Sequence, residues 1–162
     1  MEVRRNDDIS IQELHQFDKF LLSPGPGLPR DAGIMNELIA EFHDSRPILG
    51  VCLGLQAIAE FYGASLTNLP HVLHGAQSHC QLSENPGLLF QDIPNNFKIG
   101  HYHSWVVDPK SISSELAVTA RNENGHVMAF EHKENAVCGV QFHPESLLTE
   151  HGLKMIENWV KS

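Results

Sequence analysis

Two short stretches of this sequence carry residue types that could perform covalent chemistry together. The first is Gly-Val-Cys-Leu-Gly around Cys52, and the second is Gln-Phe-His-Pro-Glu, which contains His143 and Glu145. A cysteine sulfur can act as a nucleophile, an imidazole can exchange the proton, and a carboxylate can fix the tautomer of that imidazole. The sequence therefore predicts a Cys-His-Glu triad, provided that the fold brings the two stretches together.

Cys52 stands between a predicted strand and a predicted helix. The apolar run 48–51 is typical of a buried strand, and apolar residues then recur at helical spacing until Gly63. Gly50 and Gly54 flank Cys52 at the spacing of a nucleophile elbow, where small neighbours permit a sharp turn. The start of a helix behind the sulfur favours the thiolate. The alternative is a buried structural cysteine, the commoner fate of a free thiol.

His143 and Glu145 follow a predicted strand over residues 136–142. Pro144 disfavours helical geometry at His143, so the backbone stays extended there. Residues i and i+2 of an extended chain point to the same side, which lets the carboxylate reach the imidazole. The alternative is an exposed strand end with an unrelated His and Glu. We prefer the functional interpretation because both motifs follow strand carboxyl ends, where open α/β sheets place their sites.

The elements that must position these residues alternate along the chain, which indicates an α/β fold. A capping box of Ser10 and Glu13 opens the first helix. Strands are predicted at 2–5, 19–22, 48–51, 98–100, 116–120, 127–131 and 136–142, and helices at 11–17, 31–42, 53–62 and 151–159. We expect one domain, residues 1–162, built on an open, mostly parallel (mixed) sheet flanked by helices.

Composition narrows the classes of function. The 162 residues are 41% hydrophobic and 19% charged, which is typical of a globular domain, and the formal net charge of −9 argues against a nucleic-acid partner. Neither an apolar leader nor a run of roughly 18 apolar residues occurs, so we expect no membrane association. The three cysteines form no Cys-x-x-Cys pair, which favours a reducing, cytoplasmic setting.

Residues 71–103 contain five histidines and Cys80, which raises the question of a metal site. No His-x-x-x-His or Cys-x-x-Cys spacing is present, and scattered histidines explain the pattern more simply. We therefore predict no metal and no cofactor. The segment from His101 to Trp105 lies between apolar residues, and its polar groups are expected to line the rim of a pocket.

A rigid loop, Ser23-Pro24-Gly25-Pro26-Gly27-Leu28-Pro29, follows the predicted strand at 19–22. Its glycines let backbone N–H groups approach a ligand closely, while its prolines restrict the conformation. It lacks Gly-Lys-Ser/Thr and is therefore no phosphate loop. A plain tight turn is the alternative.

Four segments together resemble the class I glutamine amidotransferases, in the same order and with similar separations. These are Ser-Pro-Gly-Pro-Gly at 23–27, Gly-Val-Cys-Leu-Gly-Leu-Gln at 50–56, Tyr-His-Ser at 102–104, and Gly-Val-Gln-Phe-His-Pro-Glu-Ser at 139–146. Within the family, the likeness is closest to the small glutaminase subunits of anthranilate synthase and aminodeoxychorismate synthase. It covers nearly the whole chain.

The resemblance implies a flavodoxin-like sheet and hydrolysis of L-glutamine through a γ-glutamyl thioester. The ammonia would pass to a larger chorismate-binding synthase subunit, for either anthranilate or aminodeoxychorismate synthesis. Cys52 would be the nucleophile, His143 the base and acid, and Glu145 its orienting partner. The N–H groups of Gly25 and Leu53 would form the oxyanion hole. The predicted glutamine-binding residues are Gly25, Pro26, Gly27, Gln56, Ser104 and Trp105. A stand-alone cysteine hydrolase with the same triad remains the alternative from the residues.

The sequence departs from the family pattern at three places. Ala76 follows His74-Gly75 where the family usually has Lys, and Trp105 replaces a usual Leu. Family members also begin with a further strand and helix carrying an Asn-x-Asp-Ser-Phe motif, for which the sequence has no counterpart. We therefore expect an N-terminally short sheet, explained by a misplaced gene start, a deliberately shortened chain, or an edge covered by a second copy.

Overall fold

The computed structural model of the protein describes all residues, 1–162. Seven strands form one sheet in the order β1-β2-β7-β6-β5-β3-β4. The strands are β1 (Phe20–Leu22), β2 (Ile48–Val51), β3 (Leu66–Leu82), β4 (Asn96–Val107), β5 (Leu116–Asn122), β6 (Val127–His132) and β7 (Val137–Val140). The helices are α1 (Ile11–Leu14), α2 (Met35–Phe42), α3 (Leu53–Phe61) and α4 (Gly152–Lys161).

The predicted open, mixed sheet flanked by helices is confirmed, although its parallel share is smaller than expected. β1 pairs with β2, and β2 with β7, in parallel register. The remaining pairings, β7-β6, β6-β5, β5-β3 and β3-β4, are antiparallel. Short turns join most of the later strands without a helical crossover, and such connections produce antiparallel neighbours.

The sheet is covered on both faces, and each face has its own core. A cluster of 20 buried residues joins one face to α1, α2 and α3. A second cluster of 16 buried residues joins the other face to α4 through Met155 and Trp159. Ile48 belongs to the first cluster and Leu49 to the second, because successive side chains of a strand point to opposite faces. This explains why β2 is apolar throughout.

The largest error of the sequence analysis lies between residues 64 and 107. The segment predicted to be irregular contains β3, and the predicted short strand at 98–100 extends into the twelve-residue β4. The two strands pair antiparallel from Leu66 with Val107 to Gln81 with Asn96, with register shifts between 68 and 76. Most β3 side chains are exposed, so the strand lacks the apolar alternation that predicts a strand.

Smaller corrections concern the N-terminal elements. Residues 2–5 form no strand, and their side chains are exposed. The first helix is a single turn, in which Glu13 accepts hydrogen bonds from the Ser10 N–H and hydroxyl. The predicted helix 31–42 is split into a 3-10 turn at Pro29–Asp31 and α2, because Gly33 between them has a φ of +55°. No helix of the structure has the length and apolar character needed to cross a bilayer.

Candidate active site

Cys52 occupies the corner between β2 and α3, as predicted. Its φ of +53° and ψ of −100° are unusual for a residue with a side chain. The Cys52 N–H donates to the Val140 carbonyl at 2.8 Å, and its carbonyl accepts the Gln56 N–H at 3.1 Å. These bonds to β7 and to the first turn of α3 hold the strained backbone in place.

Two glycines make this corner sterically feasible. A Cβ on Gly50 would overlap the backbone of Gly54, and a Cβ on Gly54 would lie 2.5 Å from the Leu22 carbonyl oxygen. The start of α3 therefore packs directly against β2 and the end of β1. This contact explains the Gly-x-Cys-x-Gly spacing.

The sulfur of Cys52 is buried, and the residue is 5% exposed. Burial raises the pKa of the thiol to about 11, while the Leu53 N–H and the Gln141 side chain oppose this rise and the charge of Glu145 adds to it. The thiol therefore keeps its proton near neutral pH. The Leu53 N–H acts in the predicted direction, but the loss of solvation is the larger effect.

His143 and Glu145 are joined by a hydrogen bond just beyond β7. The distance from His143 Nδ1 to Glu145 Oε1 is 2.8 Å. Because a carboxylate accepts only, Nδ1 carries the proton and Nε2 keeps a lone pair. His143 Nε2 is buried and has no hydrogen-bond partner. An imidazole in this tautomer can accept a proton at Nε2.

The cysteine and histidine follow neighbouring parallel strands at the same edge of the sheet. β2 and β7 are in register from Ile48 with Val137 to Val51 with Val140. Continuing this register sets Cys52 beside Gln141, and His143 follows two residues later. The pairing of β2 with β7 thus brings together two motifs that lie far apart in the sequence.

The Pro/Gly loop at 23–29 lies against the same corner. A Cβ on Gly25 would stand 2.9 Å from Leu53 Cδ2, so these two predicted oxyanion residues are neighbours. The Gly25 N–H makes no backbone hydrogen bond, and Leu53 is the first residue of α3, where N–H groups have no intrahelical partner. Gly27 has a φ of +80°, and both it and Pro26 are exposed.

Gln56 and Trp105 are also brought together. Gln56 Nε2 donates to the Trp105 carbonyl at 2.9 Å and to Gln141 Oε1 at 3.1 Å. Both amide hydrogens of Gln56 are thus used within the protein, and Oε1 is the atom left for a ligand. Ser104 and Trp105 are half-buried on β4.

A wide depression of about 740 Å³ opens beside His143. It is lined by Tyr102, His143, Glu145, Ser146, Leu147 and Leu148. The Tyr102 ring meets the His143 ring edge-on at 4.9 Å, and its hydroxyl lies 3.1 Å from Ser146 Oγ. Cys52 is not among the residues that line this depression.

The sequence analysis missed Gln141, whose side chain contacts the sulfur. Gln141 Nε2 lies 3.5 Å from Cys52 Sγ, and the residue is fully buried. The same i, i+2 alternation that linked His143 to Glu145 also puts Gln141 on the side of His143. The sequence therefore contained the pattern that could have identified Gln141 as a site residue.

The two histidines of β4 contact each other. His101 Nδ1 lies 3.0 Å from His103 Nε2, and His101 Nε2 lies 2.6 Å from Ser78 Oγ. Burial lowers the pKa of both imidazoles to about 4. The structure contains no group of three or more His, Cys, Asp or Glu side chains arranged to hold a metal ion.

Comparisons with known proteins agree on one family. The family model of glutamine amidotransferase class-I matches residues 1–162. Anthranilate synthase component 2 of Pyropia yezoensis is 42% identical over 162 residues, covering 98% of this chain and 85% of that protein. The protein of the same name from Lactococcus lactis subsp. lactis is 42% identical over 161 residues, covering 98% of this chain and 80% of that protein.

A solved structure supports the same assignment. It is that of a putative GMP synthase subunit from Thermoplasma acidophilum, 26% identical, with a TM-score of 0.84 over 96% of this chain and 77% of that chain. A family model that spans the chain, relatives above 40% identity and a shared fold leave one conclusion: the chain belongs to the class I glutamine amidotransferase family.

Proposed function

We propose that this protein is the glutamine-hydrolysing component of an anthranilate synthase. Cys52 Sγ attacks the side-chain amide carbon of L-glutamine, ammonia leaves, and water hydrolyses the γ-glutamyl thioester to glutamate and free thiol. The ammonia passes to a larger chorismate-binding subunit. The observation that carries the proposal is the Glu145–His143 hydrogen bond, which leaves an unpartnered Nε2 at the end of the strand beside Cys52.

The proposal assigns each group a step. His143 Nε2 accepts the thiol proton as sulfur attacks and delivers it to the departing nitrogen, while Glu145 stabilises the imidazolium. The N–H groups of Gly25 and Leu53 stabilise the oxyanion. Gln56 Oε1, as an acceptor, suits the substrate's ammonium group, and Gly25, Pro26, Gly27, Ser104 and Trp105 hold the rest of the substrate.

The partner subunit is supported by two lines of argument. The relatives are named component 2, which implies a further component. The buried Cys52 thiol, with its pKa of about 11, is weakly reactive in the free chain, so docking of the synthase subunit is expected to raise its activity. We further propose that residues 1–162 act as one cytoplasmic domain, in keeping with one shared sheet and three free cysteines.

The test is glutamate release from glutamine by the chain alone and with increasing amounts of an anthranilate synthase large subunit. We expect weak activity that rises with the partner and is abolished by Cys52→Ser. Cys138→Ala, on β7 opposite Leu49, is the matched control and should keep full activity. Ammonium salts should restore anthranilate formation in the Cys52→Ser complex, since ammonia bypasses the thiol.

Three results would contradict the proposal: full glutamate release by Cys52→Ser, no rise on adding the partner, or faster hydrolysis of peptides than of glutamine. The last result would favour a stand-alone cysteine hydrolase. The protein can also be tested with the large subunit of an aminodeoxychorismate synthase. If that complex forms aminodeoxychorismate and neither large subunit yields anthranilate, the protein belongs to folate synthesis.

A further inference from the structure

Two buried side chains connect the backbone of β4 to the sulfur of Cys52. The connection runs from the Trp105 carbonyl to Gln56, from Gln56 to Gln141, and from Gln141 to Cys52 Sγ, over 2.9, 3.1 and 3.5 Å. Gln56 is 3% exposed, Gln141 is fully buried and Cys52 is 5% exposed. Water therefore does not compete for these hydrogen bonds.

The direction of the hydrogen bonds follows from their starting point. A backbone carbonyl only accepts, so Gln56 must present its NH₂ group to Trp105. The second hydrogen of the same nitrogen then points to Gln141, whose side-chain carbonyl oxygen must accept it. The NH₂ group of Gln141 is thereby turned toward the sulfur. A reversed Gln141 amide would set two NH₂ groups against each other and would leave the sulfur facing an acceptor in place of a donor.

The sulfur is an acceptor that gains most from this donor when it is charged. A neutral thiol accepts hydrogen bonds weakly, whereas a thiolate in a buried site receives strong charge-assisted bonds. Burial works against the thiolate here, and the Gln141 side chain and the Leu53 N–H oppose it. The Leu53 N–H is also predicted to bind the oxyanion. Gln141 is therefore the donor whose hydrogen bond serves the sulfur alone.

We propose that Gln141 is a catalytic residue, whose amide N–H stabilises the negative charge that forms on Cys52 Sγ, and that Gln56 is a positioning residue that fixes the direction of the Gln141 amide. The inference rests on the proposed function, since the charge forms only if Cys52 is the nucleophile. It adds to Gln56 a role separate from glutamine binding, exerted through Nε2 and not through Oε1.

The experiment measures alkylation of Cys52 by iodoacetamide as a function of pH, with the label located by fragment mass spectrometry. It uses the full chain without glutamine or partner. In Gln141→Met, which keeps the size of the side chain and removes the donor, we expect the midpoint of the pH profile to rise by about one unit, a roughly tenfold lower rate at any lower pH. Gln56→Met should raise it by less, because the Gln141 amide is then free to turn over.

The double variant separates direct from indirect action. Since Gln56 acts through Gln141, Gln56→Met with Gln141→Met should show the midpoint of Gln141→Met alone. Cys80 is the internal control for folding: it is fully buried, and its pKa is raised to about 12 by burial. Its labelling should stay negligible in every variant.

An unchanged midpoint in Gln141→Met with Cys80 still protected would overturn the inference. If Gln141→Met exposes Cys80, the decision falls to Gln56→Met, where an unchanged midpoint has the same meaning. Glutamate release by the wild-type complex is measured in parallel. An inactive wild-type complex with shifted midpoints would reject the proposed function alone, and an active one with unshifted midpoints would reject the inference alone.

Discussion

Cys52 and His143 differ in the hydrogen bonds and burial of their reactive atoms. Burial holds the proton on the sulfur, while the Glu145 hydrogen bond keeps His143 Nε2 free to take it. In the proposed mechanism, the thiol therefore loses its proton as the sulfur attacks. Glu145 has a side chain that is 60% exposed, so water screens its charge.

The first prediction concerns Glu145→Gln. The amide can still accept the Nδ1 hydrogen but cannot stabilise an imidazolium by charge, so we expect kcat for glutamine hydrolysis to fall by roughly ten- to a hundredfold. Steady-state kinetics of the complex measure it. Glu134→Gln, an exposed residue of the loop before β7, at the opposite end of that strand from His143, should be silent. Unchanged kcat in Glu145→Gln would remove Glu145 from the mechanism.

At the scale of elements, the β2–α3 corner depends on the absence of side chains. Gly54 packs on Leu22 of β1, and Gly50 packs on Gly54, so three elements meet with no room for a Cβ. A positive φ at Cys52 completes the turn. The corner positions the sulfur only while these close contacts persist.

The second prediction compares a glycine within α3 with one just beyond its end. Gly54→Ala should lower the free energy of unfolding by about 2 to 3 kcal/mol, because its Cβ would lie 2.5 Å from the Leu22 carbonyl oxygen. Gly63→Ala, with a φ of +84° but no atom within 4 Å, should cost only about 1 kcal/mol of backbone strain. Urea unfolding measures both. Equal losses would mean that steric overlap does not govern the corner.

At the scale of the whole molecule, the long β4 strand brings two ionisable side chains inside. His101 and His103 share one hydrogen bond and are 1% and 7% exposed. Burial, the mutual repulsion of the pair and the nearby His126 and His143 disfavour their charged forms, while Glu123 favours that of His101. The fold therefore binds fewer protons than the unfolded chain below neutral pH.

The third prediction is that the free energy of unfolding falls over a defined range of acidic pH. The folded pKa of about 4 lies below the ordinary 6.5, so stability is complete above pH 6.5 and declines as the pH falls toward 4. Each histidine accounts for about 2 kcal/mol of this loss at pH 5. Urea unfolding at pH 7 and pH 5 should show a smaller difference in His101→Gln than in the wild type. His71→Gln, exposed on β3, is the control and should match the wild type.

The sequence by itself determined the elbow around Cys52, the His143–Glu145 pair and the helices and strands of the buried centre. These features are local: strand and helix periodicity, glycine spacing and the i, i+2 rule act over a few residues. The same locality explains the errors. β3 has exposed side chains at most positions and shows no periodicity, and its pairing with β4 depends on backbone groups, which leave no pattern of residue types in the sequence.

Only the tertiary structure decided the ionisation of Cys52 and the contact of Gln141 with its sulfur. Burial of the sulfur results from packing of β2, β7 and α3, and it outweighs the local effect of the helix N-terminus. The Gln141–Gln56–Trp105 connection joins residues from the end of β7, α3 and β4. Desolvation and side-chain hydrogen bonds between distant segments depend on how the whole chain packs, so no single stretch of sequence contains them.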